Sequence, residues 1–242
     1  MDKVCVARRL PQAGLDMMAQ VAELVVSPHD RVLARDELLD LCQGCRVLVS
    51  TLANRVDRSF LEARPGIRLV ANYAVGHDNL DLGAGRDLGV VMTNTPGVLT
   101  DATADLTMAL MLALMRRLVE GDSLVRSGQF RGMGPMFMLG SDPQGKTLGI
   151  YGMGRIGEAV ALRALPFGMR IIYHNRTPRP EAEKALGAEY VSFDELLAQS
   201  DVLSINAPLT PETRGMFAYQ TFKRMKSSAY LVNTGRGPIV VE

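Results

Sequence analysis

Three glycines at 152, 154 and 157, spaced G-x-G-x-x-G within K-T-L-G-I-Y-G-M-G-R-I-G (146–157), carry the clearest chemical signal in the chain. A bare glycine pattern of this length is common, and its flanks make this one informative. An apolar run leads into it, an Ala-rich helical stretch (158–165) follows, and a second apolar run occupies 169–173. In that setting Gly152 permits a tight turn out of a strand. Gly154 lets backbone approach a pyrophosphate, and Gly157 lets the following helix pack closely on the strand. The helix start then offers free N–H groups and the positive end of its dipole to phosphates. The ligand class this predicts is a dinucleotide.

Which dinucleotide is read at the end of the next strand, Tyr173-His174-Asn175-Arg176-Thr177. An NAD site usually places Asp or Glu there to hold the ribose 2′-hydroxyl, and here there is no carboxylate. Arg176 can pair with a 2′-phosphate through charge-assisted bonds, with Asn175 and Thr177 as neutral donors. NADP(H) is favoured and NAD(H) stays open; the competing reading of Arg176 is a solvated loop residue.

Two further loops contain groups suited to a small acid. N-Y-A-V-G-H-D-N-L-D (72–81) follows an apolar run, and loops at the carboxyl ends of parallel strands are where α/β proteins bind ligands. The backbone N–H groups of Val75 and Gly76 suit a carboxylate there, against the alternative of a structural turn. In N-T-G-R-G (233–237) Arg236 stands between two glycines, and a bidentate guanidinium suits the carboxylate and carbonyl of a 2-oxo acid.

The elements that must position these residues alternate. Strand patterns lie at 4–7, 23–26, 47–51, 68–71 and 90–94, with helical patterns at 13–22, 31–41 and 58–63. Short β-rich runs alternating with helices predict a parallel sheet covered on both faces. Asn94-Thr95-Pro96-Gly97 is a breaker that divides the chain into domains at 1–97 and 98–242. Thr100 or Asp101 is expected to cap one long helix running to 125 or 126. Its middle, L-T-M-A-L-M-L-A-L-M, is apolar nearly all round, which predicts burial on several sides. Residues 127–145 are read as an irregular arm. A strand at 202–206, a short helix at 193–198 capped by Ser192, a loop at 208–211, a helical turn at 221–225 and a strand at 229–233 complete the pattern.

Composition narrows the function classes. The 27 basic and 26 acidic residues nearly cancel, so nothing in the charge points to nucleic acid or an anionic membrane. The longest apolar stretch, 108–115, is far too short to span a bilayer, and the N-terminus lacks the apolar core of a secretory signal. Three cysteines fit free thiols in a reducing cytoplasm. Cys42 and Cys45 form a lone C-x-x-C with no second pair and no nearby His, read as thiols closing a helix; no metal site is expected.

Taken in order, N-Y-A-V-G-H-D-N-L-D, T-A-D-L-T-M-A-L-M-L-A-L-M-R-R, G-K-T-L-G-I-Y-G-M-G-R-I-G, N-A-P-L-T-P-E-T and V-N-T-G-R-G resemble the D-isomer-specific 2-hydroxyacid dehydrogenase family, most closely its glyoxylate/hydroxypyruvate reductase branch. The Y-H-N-R-T-P segment looks like the NADP-preferring members. The resemblance implies an α/β fold of two doubly wound parallel-sheet domains. One is a flavodoxin-like substrate domain and the other a Rossmann nucleotide domain, with substrate in the cleft between them. It implies that Val75 and Gly76 hold the substrate carboxylate through backbone N–H groups and that Arg236 binds and polarises the 2-oxo group. It places Thr103, Gly152, Gly154, Arg155, Ile156, Gly157, Asn175, Arg176, Thr177, Ala207, Pro208, Thr213, Thr234, Gly235 and Arg236 beside the cofactor. It further implies a homodimer joined through the long helix and arm, roughly 100–145.

The family's general acid is a His paired with a Glu, both well beyond the V-N-T-G-R-G block. This chain ends at Glu242, and its histidines are His29, His77 and His174. The resemblance thus implies that both domains are incomplete at their C-terminal ends and that these residues alone reduce 2-oxo acids poorly or not at all. Alternative readings are a formate- or phosphoglycerate-dehydrogenase-like member, which would prefer NAD, and a dinucleotide-sensing corepressor-like binding protein, which would bind cofactor without turnover.

Overall fold

The computed structural model describes residues Met1–Glu242, which form two compact units, Met1–Val98 and Leu99–Glu242. The first contains β1 (Lys3–Val6), α1 (Gln12–Ala19), β2 (Glu23–Val26), α2 (Arg35–Leu41), β3 (Val47–Ser50), α3 (Arg58–Ala63), β4 (Leu69–Asn72), α4 (Leu82–Asp87) and β5 (Val91–Thr93). All five strands pair in parallel in the order β2-β1-β3-β4-β5, the flavodoxin-like doubly wound order. The central strands are apolar on both faces, as a parallel sheet covered on both sides requires. Cys5, Leu48 and Val70 turn to a core with Phe60 and Ile67, while Val4, Val6 and Val49 turn to another with Leu15. Asp57 caps α3 by accepting from the Phe60 N–H at 3.0 Å, and Asp81 caps α4 by accepting from the Ala84 N–H at 2.8 Å.

The second unit contains α5 (Thr100–Met115), α6 (Leu118–Arg126), β6 (Thr147–Tyr151), α7 (Arg155–Ala164), β7 (Arg170–His174), α8 (Pro180–Leu186), β8 (Glu189–Tyr190), α9 (Phe193–Gln199), β9 (Val202–Ile205), α10 (Tyr219–Phe222) and β10 (Tyr230–Asn233). The sheet is again parallel, ordered β10-β9-β6-β7-β8. Counted within the unit and read from its far edge this is 3-2-1-4-5, the Rossmann order, whose direction reverses between β6 and β9. Ser192 and Glu195 form a reciprocal capping box at the start of α9.

Several expectations are corrected. The long helix is two helices. The backbone carbonyl of Met115, which would continue it, accepts instead from the Ser141 N–H at 2.8 Å, and Arg117 enters the left-handed region at φ 53°. Neither Thr100 nor Asp101 caps α5: Leu99 holds the cap position without a side-chain bond, and Asp101 pairs with Arg163 of α7 at 2.9 Å. Within a single chain the helix is buried on one side, before any burial that a subunit interface would add. Ala104, Met108, Met111 and Met115 enter the core with Val160, Ala161 and Ala164 of α7, while Leu106, Leu110 and Leu114 face outward. Helix α4 has no counterpart among the expected elements, because two glycines in six residues, L-G-A-G-R-D, obscure any apolar period.

Candidate cofactor site and small-acid loop

The glycine turn is built by close backbone contact. Gly152 sits at φ 102°, a conformation open mainly to glycine. A Cβ there would come within 2.7 Å of the Ala207 nitrogen, and a Cβ on Gly235 within 2.8 Å of the Ala207 carbonyl oxygen. The loops following β6, β9 and β10 therefore meet backbone to backbone at Ala207, next to the point where strand order reverses. A Cβ on Gly157 would strike the Gly152 carbonyl oxygen and approach Ile150 Cγ2 to 3.1 Å, so this glycine lets α7 lie against its strand.

Gly154 differs from its neighbours. It is exposed and extended at φ −100°, and a Cβ on it would meet nothing within 4 Å. The space over it is open, and α7 starts just beyond it with no side-chain cap. The first-turn N–H groups at Arg155, Ile156 and Gly157 are thus left for a ligand, and an anion is what a helix N-terminus attracts. Two surface hollows, about 500 Å3 beside Arg46 and Arg64 and about 380 Å3 beside Asp142 and Phe167, do not include this turn.

At the end of β7 the expected neutral donor Asn175 has another task. Its Oδ1 accepts from the Met153 N–H at 2.6 Å and its Nδ2 donates to the Met153 carbonyl at 3.2 Å. It locks the glycine turn from the neighbouring strand. Arg176 and Thr177 are exposed beyond it. Arg176 lies near the 208–213 loop: the Thr210 hydroxyl holds the Glu212 carboxyl below the usual range, and the Arg176 charge adds to the effect.

The 208–213 loop is braced internally. Thr213 Oγ1 donates to the Pro208 carbonyl at 2.8 Å and accepts from the Thr210 N–H at 2.8 Å. Thr234 meets Thr107 Oγ1 at 2.9 Å and accepts from Asn206 Nδ2 at 3.1 Å, while the Thr107 hydroxyl donates to the Thr103 carbonyl at 2.8 Å. This chain ties α5 to the ends of β9 and β10, and Thr107 inside an apolar helix gives no hint of it in sequence. Arg236, half-buried, donates from Nη1 to the Gly235 carbonyl at 2.9 Å, and its own carbonyl accepts from Asn233 Nδ2 at 2.9 Å.

In the first unit the 72–81 loop turns its carbonyls inward. Asn94 donates to the Val75 carbonyl at 2.8 Å, Asn72 to that of Gly76 at 2.9 Å, and the Thr95 N–H to that of Ala74 at 2.9 Å. The N–H groups of Val75 and Gly76 make no hydrogen bond within the protein. Two adjacent free donors suit an anion. The residues that shape this loop escape a reading of the sequence alone. Asn72 is buried and accepts from Ser50 at 2.9 Å, and Asn79 donates to the carbonyls of Thr51 and Asn54 at 3.1 and 2.9 Å. Asparagines just after an apolar strand are the available signal.

The histidines are dispersed. His29 and His77 are exposed. His174 stacks between Tyr151 and Tyr190, with Nδ1 2.9 Å from the Val191 carbonyl. None pairs with a carboxylate.

Comparison with known proteins shows the family and the fold. Residues 108–242 match the model of the D-isomer specific 2-hydroxyacid dehydrogenase NAD-binding domain. Glyoxylate reductase from Thermococcus litoralis is 46% identical over 242 residues, covering 98% of this chain and 73% of that protein. The crystal structure of the TT0316 protein from Thermus thermophilus superimposes with a TM-score of 0.91 at 44% identity, over 99% of this chain and 75% of that one. A glyoxylate reductase from Paecilomyes thermophila gives 0.86 at 34% identity, again over 99% and 75%.

Proposed function

Because the chain belongs to the D-isomer-specific 2-hydroxyacid dehydrogenases, a family of nicotinamide-dependent enzymes, we propose that it serves NADPH-dependent reduction of glyoxylate, hydroxypyruvate or a similarly small 2-oxo acid. The observation that carries the cofactor reading is the open space over Gly154 at the uncapped start of α7, with Arg176 exposed where an NAD site would present a carboxylate. The residues present fit a dinucleotide: N–H groups at Arg155, Ile156 and Gly157 suit its pyrophosphate, and Arg176 with Thr177 suits a 2′-phosphate. Thr103, Ala207, Pro208, Thr213, Thr234 and Gly235 complete the surround, the last four largely by holding the loops in place.

When bound, the nicotinamide supplies the hydride. The chain's own residues bind and polarise the acceptor. The free N–H groups of Val75 and Gly76 hold the carboxylate. Arg236 presents a guanidinium to the 2-oxo group and stabilises the negative charge that develops there. With no histidine paired to a carboxylate, these 242 residues by themselves are expected to bind cofactor and turn over slowly.

The outward stripe Leu106, Leu110 and Leu114, with Leu118 and Val125 of α6 and Met133 and Met136 of the arm, supports a homodimer. Fluorescence titration with NADPH and NADH tests the cofactor reading. Tighter binding of NADPH is expected, and equal or tighter binding of NADH sinks it. Robust glyoxylate-dependent NADPH oxidation by the 242-residue chain would overturn the expectation of slow turnover.

A further inference from the structure

Between β7 and α8 the chain makes a short loop, Asn175-Arg176-Thr177-Pro178-Arg179, whose two ends are fastened and whose middle is not. At the near end Asn175 bonds both ways to Met153, and its carbonyl accepts from the Tyr190 hydroxyl at 3.2 Å. At the far end the Arg179 N–H donates to the Tyr173 hydroxyl at 2.6 Å. That hydroxyl in turn donates to Glu183 Oε1 at 2.6 Å. Arg179 also reaches Glu158 in the first turn of α7, with Nη2 to Oε1 at 2.8 Å. Arg176 and Thr177 stand exposed between the two anchors.

The Tyr173 ring is fully buried, so its hydroxyl cannot exchange these partners for water. Burial, aided by Glu183, pushes its ionisation up to about 12, which keeps the O–H donating toward Glu183 at neutral pH. With the proton committed to Glu183, the hydroxyl oxygen is left to accept from Arg179. No side chain caps α8, and Arg179 occupies the cap position, so Tyr173 fixes the loop at the point where the helix offers no hold of its own. A fixed loop loses less freedom when it closes on a ligand, which is how preorganisation raises affinity.

We propose that Tyr173 is the positioning residue for 2′-phosphate recognition: through Arg179 and Glu183 it holds the 175–179 loop so that Arg176 and Thr177 meet that phosphate. This rests on the NADP(H) reading above. It concerns selectivity, because the Asn175 bonds to Met153 that hold the glycine turn do not involve the Tyr173 hydroxyl.

Calorimetric titration with 2′,5′-ADP and 5′-AMP tests it without turnover. The unsubstituted chain is expected to prefer 2′,5′-ADP; if it does not, the NADP(H) reading fails, and with it any selectivity for Tyr173 to set. Given that preference, Tyr173→Phe, which removes both hydrogen bonds of the hydroxyl, should weaken 2′,5′-ADP about three- to tenfold, because only part of their value reaches the ligand through the loop, and leave 5′-AMP within about twofold. Equal weakening of both ligands, or no change in either, overturns the proposal while leaving the cofactor reading intact. Should Tyr173→Phe fail to fold, Glu183→Gln, which replaces the charged partner of the same hydroxyl, should shift the ratio in the same direction; an unchanged ratio there overturns the proposal equally.

Discussion

A single side chain can have its role decided by where its hydrogen bonds already go. Asn175 and Arg176 are neighbours at the end of one strand, yet Asn175 is committed to Met153 and Arg176 is exposed. The cofactor's 2′-phosphate is therefore expected to depend on Arg176. Arg176→Ala should weaken NADPH about ten- to hundredfold, the scale of a charge-assisted hydrogen bond, and change NADH by less than about twofold. Fluorescence titration of both cofactors checks it. In sequence, Asn175 and Arg176 stand together as donors to one phosphate. Nothing there separates them, because the partner of Asn175 lies in a different strand–helix turn.

The strand-to-helix turns act as units. Gly152→Ala would put a side chain on a backbone at φ 102° and against Ala207. A cost of about 1–3 kcal/mol is expected from the backbone conformation, with NADPH binding lost, measured by thermal melting and titration; a fully stable variant that still binds would contradict the packing described here. Helix α3 offers a pH-dependent case. Burial pushes the Asp57 carboxyl up, but Arg35, Ser59 and the Phe60 N–H outweigh it and bring it down to about 2, from an ordinary 3.8. A depressed value stabilises the fold above pH 3.8, and that contribution fades as pH falls toward 2. Asp57→Asn keeps a capping side chain but removes the charge that pairs with Arg35, and should cost up to about 1 kcal/mol at pH 7. In urea unfolding across the acid range the gap from the unsubstituted chain should close below pH 3.8; a gap independent of pH would exclude a charge-based role.

At the scale of the molecule, one chain builds two parallel sheets with different strand orders, β2-β1-β3-β4-β5 and β10-β9-β6-β7-β8. The alternation of strands and helices was legible except at α4; the two orders came only through the family resemblance and not from local pattern, since strand pairing depends on contacts far apart in sequence. The apolar character of 106–115 was legible too, but only the fold divides it into a buried face and an outward leucine stripe. If that stripe joins two copies, Leu110→Asp should yield a monomer of unchanged secondary structure by light scattering and circular dichroism. A monomeric unsubstituted chain would remove the dimer reading.

The sequence by itself determined the ligand class and the family, because glycine spacing, a strand before it and a helix after it are local features that specify a backbone shape directly. The tertiary structure decided which residues hold that shape: Asn175 on Met153, Tyr173 on Arg179, Thr107 on Thr234, and Asn79 on the carbonyls of Thr51 and Asn54. Most of these pairs are far apart along the chain, and even Tyr173 and Arg179 meet only after a strand has ended and a helix begun. Their hydrogen bonds gain strength only once folding has removed competing water, so no local pattern announces them.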